Sequence, residues 1–555
     1  MSRSVSRLVV ASALAAIMAF PAILQAQETT SEIPSITIRA NTRLVVVDVV
    51  VKDKKGQPIA GLKAEDFTVE ENGKKQKIAS FSPPAGDQKA PQPLPAGLLT
   101  NRPEYLKPTG VPTVLVLDAA NSHFLDQAYG RGQMLKYVLD QSESGTPMAV
   151  MTLTDRLQVL QNFTSDPKIL TTAIRNLQPQ EPMLQAGAPS ARSSVSAPPS
   201  SRGADLVAIS QAQIASFQSQ AIGFLLERRT LITIQALRDL SRALGGLPGR
   251  KNVVWLTADF PFDLIPEDTN MSQEELLADL PSAGNRRNSV ITNGAGAMLA
   301  QQRGSHNQEI REAEFGLASA GIAVYPVDMR GIMTRGIDVN VTSALEELAR
   351  QTGGKDYVNQ NEIKNGIALA ASDEKASYSL GYYPENKKWD GKFRTIKVKI
   401  NAGNGEVRHR KGYFALDPTQ VKNSNHESEV AEAVEFSAPA TQVSFMAQTK
   451  PTDPGKMRVI FLIDAHTLTA EDAGGGKKMN VSMYASVYSA NGKNLGTRTT
   501  KVDRTFDAAT YQQILDKGMM VPIDLEVPAG GQELRLAVLD NKTGFIGTAN
   551  GALGK

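Results

Sequence analysis

From Val114 onward the hydrophobic pattern changes to short, wholly apolar runs separated by helix-length amphipathic stretches. Val114-Leu115-Val116-Leu117 has no polar face. Both faces of such a strand must be covered, as in a parallel sheet with helices on either side. The same reading applies to Met148–Leu153, Val253–Leu256 and Ile322–Val327, with Leu157–Leu160 following Thr154-Asp155-Arg156 as a second strand of a turn. Helices are predicted over His123–Gln141, Asp166–Leu177 (Asp166 as cap, Pro167 at the first position), Leu206–Leu244, Ser305–Ala320, Val341–Thr352 and Ile363–Ala371. Alternation of this kind predicts a Rossmann-like α/β layer with a mostly parallel sheet over 113–415, carrying a low-complexity Pro/Ser/Ala insertion at 178–204. Tyr378–Tyr383 and Phe393–Ile400 are expected to finish that sheet or to add a small β extension.

The flanks read differently. Residues 35–82 are rich in β-branched side chains, with a turn at Asp53–Pro58 and a hairpin signal at Asn72-Gly73, and predict a small immunoglobulin-like β half-sandwich. Lys74, Lys75 and Lys77 make a basic, solvated face on it. Residues 83–112 are rich in proline and read as an extended linker, and 416–440 as a polar join with a short acidic helix near Glu429. From 441 to 555, alternating strands such as Val481–Val487, Ile523–Val527 and Leu534–Val538 predict a second β-sandwich.

Residues 1–26 read as a secretory signal: Arg3 and Arg7, a mostly apolar run to Leu24, and a small residue, Ala26, for cleavage. No other apolar run reaches membrane length, so an exported chain with no membrane span after cleavage is expected, periplasmic, outer-surface or secreted. The 555 residues contain no Cys, which excludes disulfides, thiolate metal sites and cysteine nucleophiles. Lys plus Arg number 60 against 57 Asp plus Glu, a balance that supplies no field for nucleic acid.

In an open α/β sheet, ligands bind beyond the carboxyl ends of the strands. The first central strand ends at Asp118, followed by Ala119-Ala120-Asn121-Ser122-His123. A strand-tip carboxylate followed by small polar residues suits Mg²⁺ or another divalent cation, which takes hard oxygen ligands. The same residues also suit plain helix capping by Asn121 or Ser122 with Asp118 bonded to backbone N–H groups.

Several pieces, in order and spacing, resemble a von Willebrand factor type A (VWA) domain in its exported bacterial "VWFA-related" form. They are Val47-Asp48-Val49-Val50-Val51-Lys52-Asp53, Gly61-Leu62, Asp66-Phe67-Thr68-Val69, the strand ending at Asp118, Gly246 to Leu256, Val324-Tyr325-Pro326-Val327-Asp328, Thr352-Gly353-Gly354 and Arg410-Lys411-Gly412-Tyr413-Phe414. The resemblance spans Ile36 to Phe414. It implies a metal-ion-dependent adhesion site used to bind other proteins, built from an Asp-x-Ser-x-Ser run, a Thr and a further Asp. Asp118 and Ser122 match the first Asp and the second Ser, while Ala120 replaces the first Ser. Thr230 and Thr233 are the candidates for the Thr, Asp259 for the last Asp, and Asn121 for a substitute oxygen ligand.

No Gly-x-Ser-x-Gly elbow and no His-Glu-x-x-His motif occur, and the five His lie far apart. Gly474-Gly475-Gly476-Lys477-Lys478 lacks the spacing of a phosphate loop, and Gly294-Ala295-Gly296 follows no strand. Asp328 and Arg330 suit a structural ion pair or a partner surface. The expectation is an exported, non-enzymatic protein that binds a protein partner through the strand-tip surface. The alternatives are a metal-assisted hydrolase using Asp118, Asp259 and His123, and a structural envelope protein with a vestigial metal site.

Overall fold

The computed structural model describes residues 44–84, 94–95, 97–106, 111–140, 147–180, 224–261, 306–330, 339–358, 362–401, 405–420 and 426–553. The expected signal (1–26), nearly all of the 178–204 insertion, the start of the Leu206–Leu244 helix and the stretch containing Gly294-Ala295-Gly296 lie outside the described residues.

The central sheet has the order Ile322–Asp328, Lys251–Thr257, Thr113–Asp118, Met148–Leu153, Leu157–Thr164. The first four strands run parallel and the last antiparallel. Alternate residues feed two cores. Val114, Val116, Val253, Trp255 and Val324 pack with Leu237, Leu240 and Leu244 of the helix at 224–244. Leu115, Leu117, Val254, Leu256 and Tyr325 pack with Met134 and Tyr137 of Phe124–Asp140, Ile174 of Pro167–Asn176 and Ile367 of Ile363–Ser372. This two-sided burial explains the unbroken apolar runs. Asp166 caps Pro167–Asn176 by accepting from Lys168 N. Beyond Val327, Tyr357 forms a one-residue parallel bridge, where a sixth strand would lie.

Tyr378 and Phe393 do not lie in this sheet, so of the two expected placements the one that completes it is excluded. Ser377–Tyr382 pairs with Val45–Lys52 and Ile78–Ser82, and Phe393–Ile400 pairs with Phe67–Glu71. Phe393–Ile400 buries only every second residue, the pattern of a strand with one solvated face. The segment from Val45 to Ser82 therefore supplies half of a sandwich whose other half arrives some 300 residues later. Val47, Val49, Phe67, Val69, Tyr378, Leu380, Ile396 and Val398 fill its interior. After the hairpin the chain is split at Lys77, with Lys74–Gln76 continuing the hairpin and Ile78–Ser82 crossing to the facing sheet. Asn72 and Gly73 both adopt positive φ, as a tight hairpin of this kind requires.

The proline-rich stretch is not a linker throughout. Leu98–Thr100 is a strand paired with Phe445–Pro451 of the C-terminal sandwich. Asn101 is buried, donating from Nδ2 to Ala440 O (2.7 Å) and Val443 O (2.8 Å) and accepting from Phe445 N (2.9 Å). Three residues between prolines are too few to show a period, so this strand left no pattern to read. The C-terminal sandwich sets Met519–Glu526, Lys456–Ile463, Phe445–Pro451 and Leu98–Thr100 against a sheet built on Gly476–Ser489 and Gly531–Asp540, around Phe445, Phe461, Met483 and Leu536. The acidic helix His426–Glu435 docks on that second sheet through Val430 and Val434.

Candidate functional site

Asp118 closes the first parallel strand at the point where the strand order reverses, between Thr113–Asp118 and Lys251–Thr257. Its carboxylate is fully buried. Oδ1 accepts from Asn121 N (3.0 Å). Oδ2 accepts from Asn121 Nδ2 (2.9 Å) and Trp255 Nε1 (3.0 Å), and Thr257 Oγ1 lies 3.0 Å away. Burial pushes the Asp118 carboxyl above the usual range, and the hydrogen bonds from Asn121, Trp255 and Thr257 oppose that shift.

The neighbouring side chains form one closed network. Asn121 Nδ2 also donates to Thr233 Oγ1 (3.0 Å), while its Oδ1 accepts from Arg229 Nε (2.7 Å). Arg229 Nη2 donates to Asp259 Oδ2 (2.7 Å), and Asp259 Oδ1 accepts from Phe260 N (2.8 Å). Ser122 Oγ accepts from Ala258 N (2.9 Å), tying the loop after the first strand to the loop after Thr257. Gln127 Nε2 donates to Ala119 O (3.2 Å) and Ser122 O (2.8 Å), which fixes the same loop from the helix side.

Of the residues singled out from the sequence, Asp118, Asn121, Ser122 and Asp259 come together here. Thr230 does not join them: its Oγ1 donates to Leu226 O (3.0 Å) on its own helix. Thr233, one turn further on, is the residue that reaches Asn121. Arg229, Trp255 and Thr257 were missed. A signal for Arg229 existed, because Arg229, Thr233, Leu237, Leu240 and Leu244 fall on one helical stripe and all are buried. A charged residue on a buried stripe needs a partner.

These residues do not fit a divalent cation, which prefers a shell of free hard oxygens. Asp118 faces an indole N–H, which can only donate. The amide oxygen of Asn121 and one oxygen of Asp259 are held by the Arg229 guanidinium. Ala120, in place of a hydroxyl residue, is buried among Val116, Leu153 and Leu237 of the hydrophobic core. Among the described residues, no three or more His, Asp or Glu side chains are grouped to hold a metal ion.

No family model matches the chain, and no curated protein does. Solved structures do. An aerotolerance-related membrane protein from Bacteroides fragilis NCTC 9343 is 11% identical over 48% of this chain and 100% of its own, with a TM-score of 0.23. The vWF domain of the type V pili tip protein Mfa5 from Porphyromonas gingivalis is 11% identical over 48% of this chain and 93% of its own, with a TM-score of 0.20. A von Willebrand factor type A protein from Catenulispora acidiphila is 10% identical over 91% of this chain and 74% of its own, with a TM-score of 0.21. Superpositions this loose carry no argument about sites or partners. The resemblance rests on the quoted residues and on a parallel sheet with Asp118 at its switch point.

The central layer is a mostly parallel α/β sheet with helices on both faces. Others of the quoted pieces tie the central layer to the N-terminal sandwich. Arg250 Nη2 donates to Tyr325 OH (2.9 Å) and Gly353 O (2.8 Å), and Tyr325 OH donates to Asp373 Oδ2 (2.6 Å). Asp373 in turn pairs with Lys52 Nζ (2.7 Å) and with Arg408. Arg410 Nη2 donates to Val46 O (2.8 Å). Asp328 and Arg330 form a forked ion pair at 2.8 to 3.2 Å. Gly474 and Gly475, both at positive φ, make the turn of a hairpin. Among the described residues, no helix is long and apolar enough to cross a membrane.

Proposed function

We propose that this is an exported, non-enzymatic protein that binds a protein partner through the carboxyl edge of its VWA-like layer. The observation that carries the reading is what this edge turns outward. The helix that begins just after the Asp118 loop exposes Leu125 to 76%, and Phe124 and Tyr129 to 41% each. Leu125 and Tyr129 are four residues apart and share a helix face. The helix that delivers Arg229 exposes Phe224 to 63% in its first described turn. Exposed aromatic and aliphatic side chains on the two helices that carry the Asp118 network are the residue types of an interface core. The polar groups of the Asp118 network bond to one another, an arrangement that holds the loops in place. Export rests on the signal-like residues 1–26, and the partner class rests on the apolar edge.

Capture from the native envelope fraction tests the reading, with wild type, Leu125→Asp and Met520→Asp as baits. An Asp in the first helical turn complements the helix dipole, so Leu125→Asp should fold. Met520 is exposed on a strand of the C-terminal sandwich. Loss of a discrete captured protein with Leu125→Asp, but not with Met520→Asp, supports the proposal. Equal capture by all three, or hydrolytic turnover abolished by Asp118→Ala, overturns it.

A further inference from the structure

We propose that the Arg229 guanidinium is a tethered cation that does at this strand tip what a divalent ion would otherwise do, so that the edge assembles without metal. An ion at a switch point would bridge the loop after the first strand to the loop after the neighbouring strand. Arg229 makes that bridge with its own side chain. Nε bonds Asn121 Oδ1 on the first loop at 2.7 Å, and Nη2 bonds Asp259 Oδ2 on the second at 2.7 Å. The side chain is 2% exposed. A guanidinium stays charged under all ordinary conditions, and its planar fork suits two oxygen acceptors at once.

The surroundings are arranged for this cation. Thr233, one turn along the same helix, accepts from the Asn121 amide nitrogen, so the helix holds both ends of that amide and presents its oxygen to Arg229. Asp118 and Asp259 bring two carboxylates within one network, and Arg229 is the cation bonded into it. A divalent ion placed among the same oxygens would meet a fixed positive charge and would have to displace the N–H groups of Asn121 and Trp255 from Asp118. The substitution also makes the bridge permanent, since a side chain on a helix does not dissociate as an ion does. The proposal goes beyond the binding reading and stands whether or not a partner docks on this edge.

The test uses the full exported chain and Mn²⁺ as a spin probe, alongside thermal unfolding. Wild type is expected to leave Mn²⁺ free in solution and to show the same Tm with Mg²⁺ and with EDTA. Arg229→Ala is expected to lower the Tm by several degrees, with partial recovery in dilute guanidinium chloride and none in tetramethylammonium chloride at the same concentration. Arg229→Lys, which keeps the charge but not the fork, should fall between the two and serves if the Ala variant does not fold. One Mn²⁺ bound per wild-type chain and lost in Asp118→Asn would overturn the proposal. So would an Arg229→Ala variant as stable as wild type, which would mark the arginine as idle.

Discussion

Trp255 Nε1 donates to Asp118 Oδ2 at 3.0 Å, from the neighbouring parallel strand and from within the hydrophobic core. The acidic strand tip is therefore part of the interior, and the surface it organises is the loop and helix that follow. Removing the acceptor leaves the Trp255 and Asn121 donors without it, and each unsatisfied buried group costs about 1–3 kcal/mol. Asp118→Ala should lower unfolding free energy by about 3 kcal/mol or more, and Asp118→Asn by less, because one acceptor oxygen remains. Urea unfolding of the two variants checks the order. Equal stability of Asp118→Ala and wild type would contradict the network.

Glu71 is the acceptor of a second buried cluster, in the N-terminal sandwich. Tyr382 OH (2.8 Å) and Tyr413 OH (2.9 Å) donate to Oε2, and Arg394 Nη1 lies 3.3 Å from Oε1. Arg394 and Glu71 are both nearly inaccessible. Glu71→Ala strands a buried guanidinium, a loss of about 3–5 kcal/mol. Hydrogen exchange should show the loss spreading to Ser377–Tyr382 and Phe393–Ile400, since these strands share the sandwich with Val45–Lys52. Protection lost in Val45–Lys52 alone would contradict the split sandwich.

Asp239 lies on the helix at 224–244, close to Arg242 and Glu432. Burial pushes its carboxyl up to about 6, with Arg242 opposing and Glu432 adding to the shift. A raised folded-state value means that the protonated form favours the fold. The group's contribution is fully present below about 3.8 and is lost as pH rises through about 6. The swing is about 3 kcal/mol. Asp239→Asn should remove it, so the stability of the variant relative to wild type should climb between pH 4 and 6. Stability measured against pH for both proteins decides, and parallel curves would contradict the assignment.

Lys251 gives the opposite dependence. Burial pushes its amine down to about 8, while Asp48 opposes that shift, and Nζ donates to Leu247 O at 2.8 Å. The unfolded chain then holds the proton over a range where the folded chain has lost it. Stability should rise with pH from about 8 toward the ordinary lysine value, by about 3 kcal/mol. Lys251→Met should abolish that rise in alkaline unfolding curves, and a rise that persists in the variant would assign it elsewhere.

Gly246 marks where the central α/β layer meets the C-terminal sandwich. Its N–H donates to Thr441 Oγ1 (2.8 Å), and a Cβ built on it would lie 1.9 Å from Thr441 O. Gly246→Ala has to push this contact apart. Limited proteolysis should then cut faster near residue 440 in the variant, with the central layer still folded. Unchanged cleavage would contradict the close approach.

Legibility followed periodicity. The parallel strands were plain because burial on both faces left them unbroken, as in Val114 to Leu117. Phe393–Ile400 was seen as a strand, but its sheet was not, because alternation gives the exposed face and not the partner, here more than 300 residues away in Phe67–Glu71. Leu98–Thr100 was too short to carry a period. At the site, Asp118, Asn121, Ser122 and Asp259 were readable from position at strand tips. Arg229 was not, because a cation 30 residues before Asp259 in the chain has no motif linking the two, although its place on a buried stripe was visible.

The most direct test of the central claim is site-specific photocrosslinking in the native envelope, with a photoreactive residue at position 125 or at position 520. The account predicts one discrete protein adduct from 125, unchanged by EDTA, and none from 520. No adduct from 125, or the same adducts from both positions, would contradict it.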